Sequence, residues 1–291
     1  MKNLILYLLG SLSPKLVTHI LYFKSFHRFL NLKHPKTLNE KIQWIKFYGD
    51  TSQWSLLSDK YKVREYVKER GLSTILVELY GVWKNAEDID WEVLPDKFVM
   101  KANNGCGDIV ISKDKNELNK IVVTKYYSKL LKKKFGISTG QIHYKCIMPC
   151  IIAEELLDSK KQRVESSSLI DYKLWCINGK PQYVFICCNR QKDSVQIALY
   201  DMNWQSHSEY LVYSDEFRPT PFVIPQPKTL SKMIKVAEIL SEGHPQMRVD
   251  LYEVDNTLYF GELTMTSACG IMTYFSEIFL IKMGNKMNIP V

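Results

Sequence analysis

Apolar residues recur at helical spacing in the first part of the chain and predict a series of short helices. The stretch SPKLVTHILYFKSFHRFLNL begins with a Ser-Pro pair that is typical of a helix N-terminus, and KTLNEKIQWIKFY carries its apolar residues on one face. Residues 1–48 are therefore predicted to form two or three helices. The stretch SDKYKVREYVKERG predicts a further helix, which Ser58 or Asp59 caps and Gly71 ends.

Strand-like stretches follow, and six of them predict three β-hairpins. LPDKFVMKANNGCGDIVIS has a glycine-rich tip, DYKLWCINGKPQYVFICCN turns at Asn178 and Gly179, and RVDLYEVDNTLYFGELT centres on Asn256. TILVELYGVW and CIIAEELL read as further strands. Helices are predicted over residues 115–135 and over TLSKMIKVAEILSEG, with Thr229 as the N-cap. Hairpins separated by helices predict a mixed α+β fold and not a regular parallel sheet.

Length and composition indicate a globular chain with a substantial core. The 291 residues are 46% hydrophobic and 24% charged. No stretch approaches the roughly 20 apolar residues of a membrane span. The beginning, MKNLILYLLGSL, has no small-residue cleavage site, so we do not expect a signal peptide.

Positive charge is concentrated at the beginning of the chain. Residues 1–48 hold eight Lys and Arg and one acid, Glu40, which accounts for seven of the net eight positive charges. A nucleic-acid-binding protein would spread such charge over its folded body, so we expect no nucleic-acid partner. A basic, aromatic-rich segment fits an anionic membrane surface or an acidic polymer, and the alternative is a solvated helical face.

The seven cysteines follow no disulfide framework. Cys187 and Cys188 lie in an apolar run and are expected to be buried thiols, which is typical of a cytoplasmic protein. His143, Cys146 and Cys150 could be drawn as part of a zinc site, but no second ligand pair lies at finger-like spacing. We therefore do not expect zinc.

The third predicted hairpin brings two acids together. If it turns at Asn256, Asp250 faces Glu262 and Arg248 faces Thr264, and all four side chains lie on one side of the sheet. Directly opposed Cβ atoms are about 4.5–5.5 Å apart, so the carboxylates repel unless a cation lies between them. Mg²⁺ is the natural cation because it binds carboxylates together with substrate phosphates. A register shifted by one residue would separate the acids.

The glycine-rich tip of the first hairpin is a candidate phosphate cradle. Lys101 ends a strand, and the backbone N–H groups around Gly105 and Gly107 can bind oxygens. The loop is not a Walker A motif, and Val110 stands where a dinucleotide fingerprint needs its third glycine. An ordinary tight hairpin is the alternative.

The order of these motifs resembles the ATP-grasp superfamily, and within it the TupA-like group of teichuronopeptide and capsule biosynthesis. The resemblance covers roughly residues 36–290 through HPKTLNEKIQWIKFY, DKYKVREYV, LPDKFVMKANNGCGD, IIAEELL, DYKLWCINGKPQ and RVDLYEVDNTLYFGELT. It implies an ATP-grasp fold, in which two α+β subdomains clamp ATP. The implied parts are a basic helical segment at 1–48, an α/β part at 49–95, a small subdomain with the glycine-rich lid at 96–155, and a large subdomain with the metal site at 156–291.

The resemblance also implies site residues. Nucleotide binding falls to Lys60, Lys101, Asn104, Gly105, Cys106, Gly107, Glu154, Glu155, Leu157 and Asp171. Magnesium binding falls to Asp250, Glu262 and Thr264, and catalysis to Lys173 and Arg248. The chain departs from the family pattern at Thr264, where asparagine is usual, and at Cys106, where serine is expected. These departures put catalytic efficiency in question more than nucleotide binding.

The activity that the resemblance implies is ATP-dependent ligation. ATP would phosphorylate a carboxylate, and an amine would displace the phosphate to form an amide on a sugar acid or amino sugar with an amino-acid-like partner. The implied location is the cytoplasm, with residues 1–48 at the inner face of the membrane. Three alternatives stay open: a kinase on the same fold, a glycosyltransferase of the same pathway, and a non-catalytic nucleotide-binding module. The glycosyltransferase has little support because residues 88–90, DID, are the only Asp-x-Asp match.

Overall fold

The computed structural model describes residues 2–290 of the chain. Within this range it has eight α-helices: α1 (Lys2–Leu12), α2 (Pro14–Phe26), α3 (Leu38–Tyr48), α4 (Trp54–Ser58), α5 (Val63–Glu69), α6 (Lys120–Leu130), α7 (Leu230–Ser241) and α8 (Glu277–Lys286). It also has ten strands: β1 (Leu79–Trp83), β2 (Phe98–Ala102), β3 (Ile109–Ser112), β4 (Ile151–Glu155), β5 (Asp171–Ile177), β6 (Lys180–Cys188), β7 (Val195–Asp201), β8 (Phe217–Pro219), β9 (Gln246–Val254) and β10 (Thr257–Thr264).

The strands form two sheets. The smaller sheet has the order β1-β4-β2-β3, and the larger has the order β10-β9-β5-β6-β7-β8. All neighbours are antiparallel except β7 and β8. The predicted mixed α+β fold is therefore confirmed, as are the three hairpins β2–β3, β5–β6 and β9–β10.

Each sheet has its own core. Against the smaller sheet, α6 buries Val123 and Tyr127 beside Phe98 and Met100. The core of the larger sheet is more extensive, with Trp175 fully buried in it and residues of α3, α5, α7 and α8 packed around it. The third hairpin, which carries the two predicted acids, thus belongs to the larger sheet. The helices packed around that core come from before the hairpin in the chain (α3, α5 and α7) and from after it (α8).

The pairing in the third hairpin depends on a β-bulge at Gly261. The chain turns at Asp255 and Asn256, which both have positive φ, and Thr257 pairs with Val254. Continued without interruption, this register would place Asp250 opposite Gly261. The register shifts between Phe260 and Glu262, and Glu262 consequently pairs with Asp250 on the same side of the sheet.

The predicted pairing of the two acids is therefore confirmed, although the predicted turn was wrong. A single central residue, Asn256, was expected, whereas the hairpin has a two-residue turn and a bulge. The other half of the prediction also holds, since Arg248 pairs with Thr264.

The N-terminal helices pack onto the segment that follows α6. In α1, a Cβ added at Gly10 would lie 1.9 Å from the carbonyl oxygen of Ile137, so a glycine allows the helix to approach the backbone. Ser13 caps α2 by accepting a hydrogen bond from the N–H of Leu16. No helix within residues 2–290 is long and apolar enough to cross a bilayer.

Several predicted elements are shorter than expected. The helix predicted from Ser58 to Gly71 is a turn followed by α5, because Asp59 caps that turn by accepting from the N–H groups of Tyr61 and Lys62. The basic helix expected over 115–135 is confined to α6. The strand expected in TILVELYGVW is confined to β1, since a 3₁₀ turn occupies its first part.

The cap of α7 also differs from the prediction. Thr229 stands at the N-cap, but its side chain accepts no hydrogen bond from the helix. Its hydroxyl and its backbone N–H instead donate to Glu253 Oε2, at 2.6 and 2.7 Å. The carboxylate of Glu253 on β9 therefore binds the N-cap residue itself and places a negative charge at this helix N-terminus.

The bulge predicts that Gly261→Ala destabilises the protein. An added Cβ would lie 2.9 Å from the carbonyl oxygen of Asp250 and 2.9 Å from the ring of Tyr252. We expect the free energy of unfolding, measured by urea denaturation, to fall by about 1–3 kcal/mol. Gly105→Ala is the control, because its Cβ meets nothing closer than 3.7 Å, and it should change stability by less than about 0.5 kcal/mol. Equal stability of the two variants would contradict the role of the bulge.

Candidate functional site

The centre of the candidate site is a two-point ion pair between Arg248 and Asp250 on β9. Arg248 Nε donates to Asp250 Oδ1 at 2.7 Å, and Arg248 Nη2 donates to Oδ2 at 2.6 Å. Both side chains are buried, and the carboxylate is 1% exposed. Bidentate pairing of this kind fixes the orientation of both groups.

Arg248 also contacts the neighbouring strand. Its Nη2 lies 3.1 Å from Glu262 Oε1 and 3.0 Å from Thr264 Oγ1, while its Nη1 donates to Ser267 Oγ at 2.7 Å. A cation was predicted between Asp250 and Glu262, with Mg²⁺ as the natural choice. In the structure the guanidinium of Arg248 occupies that position, so the protein itself supplies a charge that offsets the repulsion.

A row of charged side chains extends this centre across the larger sheet. Lys173 on β5 pairs with Asp250 in the strand register, and its Nζ lies 2.5 Å from Oδ2. Asp171 lies two residues earlier on the same face, 3.3 Å from Lys173 Nζ and 3.1 Å from Arg190 Nη2. Positive and negative groups thus alternate along the row.

These contacts shift the pKa values of the buried groups. Burial alone would lower the pKa of Lys173 and Arg248, but the facing carboxylates, Asp171 and Asp250 for the lysine and Asp250 and Glu262 for the arginine, raise both well above their ordinary values. Burial would raise the pKa of Glu262, yet Lys60, Arg248 and Lys173 together lower it to about 2. All three side chains are therefore charged near neutral pH.

Lys60 connects the larger sheet to the glycine-rich loop. Its Nζ donates to the carbonyl oxygen of Gly105 and lies 3.6 Å from Glu262 Oε2. Its backbone N–H donates to the carbonyl oxygen of Asn103 at 3.0 Å. The turn that Asp59 caps therefore places Lys60 between the loop of the smaller sheet and the acid of the larger one.

The glycine-rich loop is anchored at Asn103. Its Nδ2 donates to Asp59 Oδ1 at 2.9 Å and to the carbonyl oxygen of Met148 at 3.0 Å, and its Oδ1 accepts from the N–H of Cys150 at 2.8 Å. Asn104 is buried beside it, whereas Cys106 and Gly107 at the tip are exposed. The loop thus has a fixed base and an accessible tip.

A second charged cluster lies on the smaller sheet. Glu154 on β4 is buried between two cations, with Lys101 Nζ at 2.5 Å and Arg64 Nη1 at 2.8 Å. Arg64 also donates to the carbonyl oxygen of Val77 at 2.7 Å. Lys101 and Glu154 were predicted to bind nucleotide, and the structure brings them together.

Two other residues were predicted at the hinge, Glu155 and Leu157. Glu155 is next to Glu154 in the strand and faces the opposite side; its backbone N–H donates to the carbonyl oxygen of Glu78, and its Oε2 lies 3.4 Å from the N–H of Glu78. Leu157 is buried. Their nucleotide-binding roles stay predictions.

The side chains of the two clusters suit an anionic ligand with a hard cation. Six cations face four carboxylates in the linked ion pairs: Lys60, Arg64, Lys101, Lys173, Arg190 and Arg248 against Glu154, Asp171, Asp250 and Glu262. This excess of positive charge favours a ligand with several negative charges.

The donor atoms on the third hairpin also fit magnesium, because they are carboxylate and hydroxyl oxygens. Both oxygens of Asp250 accept short bonds from Arg248, and one of them also from Lys173. Among the residues that the structure describes, the single polar partner of Glu262 Oε2 is Lys60, at 3.6 Å. Glu262 therefore carries the carboxylate oxygen that is most available to a cation.

The zinc alternative receives no support from the geometry. No group of three or more His, Cys, Asp and Glu side chains within residues 2–290 is arranged to hold a metal. His143 is buried with its ring edge-on to Trp54, Cys146 is exposed and Cys150 is buried. Cys187 and Cys188 are buried thiols, as predicted.

Four residues of the site were missed by the sequence reasoning: Arg64, Asn103, Arg190 and Ser267. Asn103 adjoins the predicted loop, and Ser267 follows the third hairpin closely, so proximity to a motif could have indicated both. Arg64 and Arg190 reach their partners across long separations in sequence, and no local pattern marks them.

Comparison with known proteins identifies a matching family. A protein-family model described as TupA-like ATPgrasp matches residues 40–288. A search of curated proteins found no match.

Similar solved structures include three ligases, each of low sequence identity. D-alanine–D-alanine ligase from Helicobacter pylori has 13% identity and a TM-score of 0.45, with 86% of this chain and 69% of that chain covered. Phosphoribosylamine–glycine ligase from Thermotoga maritima has 15% identity and a TM-score of 0.42, with 72% of this chain and 48% of that chain covered. D-alanine–D-alanine ligase from Bacillus anthracis, complexed with ATP, has 13% identity and a TM-score of 0.43, with 79% of this chain and 66% of that chain covered. The chain thus spans less than two thirds of the last two.

The two acids of the third hairpin are predicted to differ in their effect on stability. Asp250→Asn leaves Arg248 and Lys173 buried without their shared carboxylate and should lower the free energy of unfolding by about 3–5 kcal/mol. Glu262→Gln is the matched control, because a third of that side chain is exposed and Arg248 keeps its pair with Asp250; we expect a loss below about 1 kcal/mol. The measurement is urea denaturation at pH 7. A larger loss in Glu262→Gln than in Asp250→Asn would show that the ion pair is misassigned.

Proposed function

The chain belongs to the TupA-like ATP-grasp family, and from this premise we propose that it is an ATP-dependent ligase that joins a carboxylate to an amine through an acyl phosphate. The observation that carries the proposal is the position of Lys60, which contacts the glycine-rich loop and Glu262 of the opposite sheet. A triphosphate between the two sheets would meet cations from both sides.

The cations of the site have different roles in ATP binding and in phosphoryl transfer. Lys60 and Lys101 neutralise the oxygens of the triphosphate from the side of the smaller sheet. Lys173 stands on the larger sheet and faces the terminal phosphate. Since phosphoryl transfer depends on positioning and charge neutralisation, fixed cations of this kind are the main contribution that a protein makes.

Arg248 stabilises the negative charge that develops on the acceptor. Its Nε, its Nη2 and one N–H of Nη1 are engaged by Asp250, Glu262, Thr264 and Ser267. A guanidinium has five N–H groups, so the second N–H of Nη1 has no acceptor among the residues that the structure describes. This N–H is the group that we assign to a substrate oxygen, in an orientation that five hydrogen bonds to four residues fix.

Magnesium is the implied cation of the site. Asp250, Glu262 and Thr264 would hold it, with Glu262 as the principal ligand, and the bound ion supplies charge neutralisation between phosphate oxygens. Thr264 Oγ1 already accepts from Arg248 and lies 3.2 Å from Glu262 Oε1. Its first function in the protein is therefore to link the arginine to the acid.

The glycine-rich loop, residues 103–108, serves as a lid. The exposed tip can close over the phosphates while the anchored Asn103 holds the base of the loop. Closure excludes water, which would otherwise hydrolyse an acyl phosphate before the amine reacts. The proposed ligands of the tip are the backbone N–H groups near Gly105 and Gly107, with Asn104 and Cys106 at their sides.

The proposed pathway is the biosynthesis of a bacterial cell-surface polysaccharide, such as a capsule, teichuronopeptide or O-antigen. The substrates would be a sugar acid or amino sugar and an amino-acid-like partner, and the reaction would take place in the cytoplasm. This class of pathway is what the resemblance to the TupA-like group implies, and the model of that family matches residues 40–288.

The ligase proposal predicts that ADP is released only when a carboxylate and an amine are present together with ATP and Mg²⁺. A screen of uronic acids, amino sugars and amino acids, singly and in pairs, should find such a pair, and mass spectrometry should detect the amide. Lys60→Ala should lower kcat/KM about 100-fold by removing a phosphate contact. Lys62→Ala, an exposed lysine of the same turn, should leave the rate unchanged.

The other outcomes of this screen discriminate among the alternatives. A stable phosphorylated product without an amide would identify a kinase. Transfer from a nucleotide sugar without ATP would identify a glycosyltransferase. Binding of ATP without ADP release from any pair would leave a nucleotide-binding module and would contradict the ligase.

We further propose that α1 and α2 contact an anionic membrane. Eight large apolar side chains of this region are exposed: Leu4, Ile5, Leu8, Leu12, Leu16, Ile20, Phe23 and Phe29. The helical positions 4, 8 and 12 lie on one face of α1. Lys15 and Lys24 are exposed beside this apolar surface, and such a combination of apolar and basic side chains fits the interface of an anionic bilayer.

The membrane proposal predicts cosedimentation with vesicles of phosphatidylcholine and phosphatidylglycerol. The double variant Leu8→Ser/Leu12→Ser should bind at least about tenfold more weakly, since each buried leucine contributes roughly 1.5–3 kcal/mol. Ile121→Ser/Ile278→Ser, which changes two exposed isoleucines elsewhere, should bind as the wild type does. Equal binding of both variants, or no binding of the wild type, would exclude this surface.

A further inference from the structure

A cavity of about 510 Å³ opens beside the glycine-rich loop. One wall is α1, which contributes Tyr7 and Ser11. A second wall is the segment that follows α6, and a third is the segment 144–149. The volume lies in the range of about 300–1,000 Å³ that is typical of small-molecule sites.

The cavity is lined by four lysines and by no acid: Lys132, Lys133, Lys134 and Lys145. Lys133 has a long ionic contact with Asp108, at 3.9 Å. The other three have no acidic partner within 4 Å among the side chains that the structure describes. A concave site with several uncompensated cations has a positive electrostatic potential, so it favours an anionic ligand.

The cavity adjoins the candidate ATP site. Asn104 of the glycine-rich loop lines it, and the ring of Phe135 lies 3.9 Å from where a Cβ of Gly105 would be. Tyr144 packs edge-on against Phe135, with ring centroids 4.7 Å apart. Burial raises the pKa of Tyr144, and the negative charge of Glu262 raises it further.

The chain between the second and third walls of the cavity is hydrogen-bonded to the segment that follows β10. Gln141 Oε1 accepts from Thr266 Oγ1 at 2.6 Å, just beyond β10, and Gln141 Nε2 donates to Thr139 Oγ1 at 2.9 Å. The close approach of Gly10 to Ile137 fixes α1 against this segment. The N-terminal helix therefore has two faces with different functions: an exposed apolar face and a face that lines the cavity.

We propose that this cavity binds an anionic sugar, bearing carboxylate or phosphate groups, as the acceptor substrate of the ligase. The proposal rests on the function proposed above. The lysines supply charge, and the rings of Tyr7, Phe135 and Tyr144 supply apolar faces against which a pyranose can pack. A sugar in this position has one end beside the lid and the other beside the helix whose outer face is apolar.

The test is direct binding in the absence of ATP, measured by titration calorimetry with digalacturonate, N-acetylglucosamine 1-phosphate and neutral maltose. At least one of the two anionic sugars should bind, more weakly as salt is raised, and maltose should not. Lys134→Glu/Lys145→Glu should raise the Kd about tenfold or more through charge reversal. Lys125→Glu/Lys129→Glu, two exposed lysines of α6 outside the cavity, should leave the Kd unchanged.

Each result decides the proposal. Binding of neither anionic sugar by a protein that binds ATP, or equal weakening in both double variants, would overturn it. Because the titration contains no ATP, it is independent of turnover: anionic binding without amide formation would retain the cavity and reject the ligase. Amide formation that Lys134→Glu/Lys145→Glu leaves unchanged would retain the ligase and reject the cavity.

Discussion

The contact of Arg248 with Asp250 is the interaction on which the candidate site depends. An isolated charge at this depth would cost several kcal/mol, at the least, to remove from water. The two-point pair, the second cation Lys173, and the acceptors Glu262 and Ser267 satisfy these groups together. A buried network of this kind adds less to stability than to orientation, since each member holds its neighbours in one geometry.

This network requires a particular strand register. A one-residue slip of β10 would move Glu262 to the other side of the sheet and leave Arg248 without its second carboxylate. The bulge at Gly261 sets the register, and the two-residue turn at Asp255 and Asn256 sets where the bulge is needed. Local backbone geometry therefore determines the electrostatics of the site, and the contact of Lys60 with Glu262 and Gly105 extends that arrangement to the glycine-rich loop.

Local signals made the hairpins predictable from sequence. Asn178 and Gly179 adopt positive φ at the turn between β5 and β6, as this pair of residues commonly does. The facing of Asp250 and Glu262 was also predicted, although through a turn that the hairpin does not have. A glycine within a strand indicates a bulge without proving one. The residues alone therefore did not reveal that a two-residue turn shifts the register by one residue and that the bulge at Gly261 restores it.

Contacts between residues that are distant in the sequence could not be predicted from local patterns. Arg64 reaches Glu154 from a helix ninety residues earlier in the chain, and only the folded sheets bring them together. The basic character of residues 1–48 was legible as charge, but the docking of α1 beside the lysine-lined cavity depends on Gly10 meeting the backbone of Ile137. Predicted helices proved too long where a side chain, such as that of Asp59, gave the backbone another partner.

The most direct test of the central claim is titration calorimetry of ATP into the wild-type protein and into Glu262→Gln, with and without Mg²⁺. If Glu262 carries the available carboxylate oxygen beside a triphosphate, Mg²⁺ should tighten ATP binding to the wild type about tenfold or more, and the variant should lose that dependence while it remains folded. ATP affinity that is the same with and without Mg²⁺ in the wild type, or a magnesium effect that Glu262→Gln preserves, would contradict the assignment of the site.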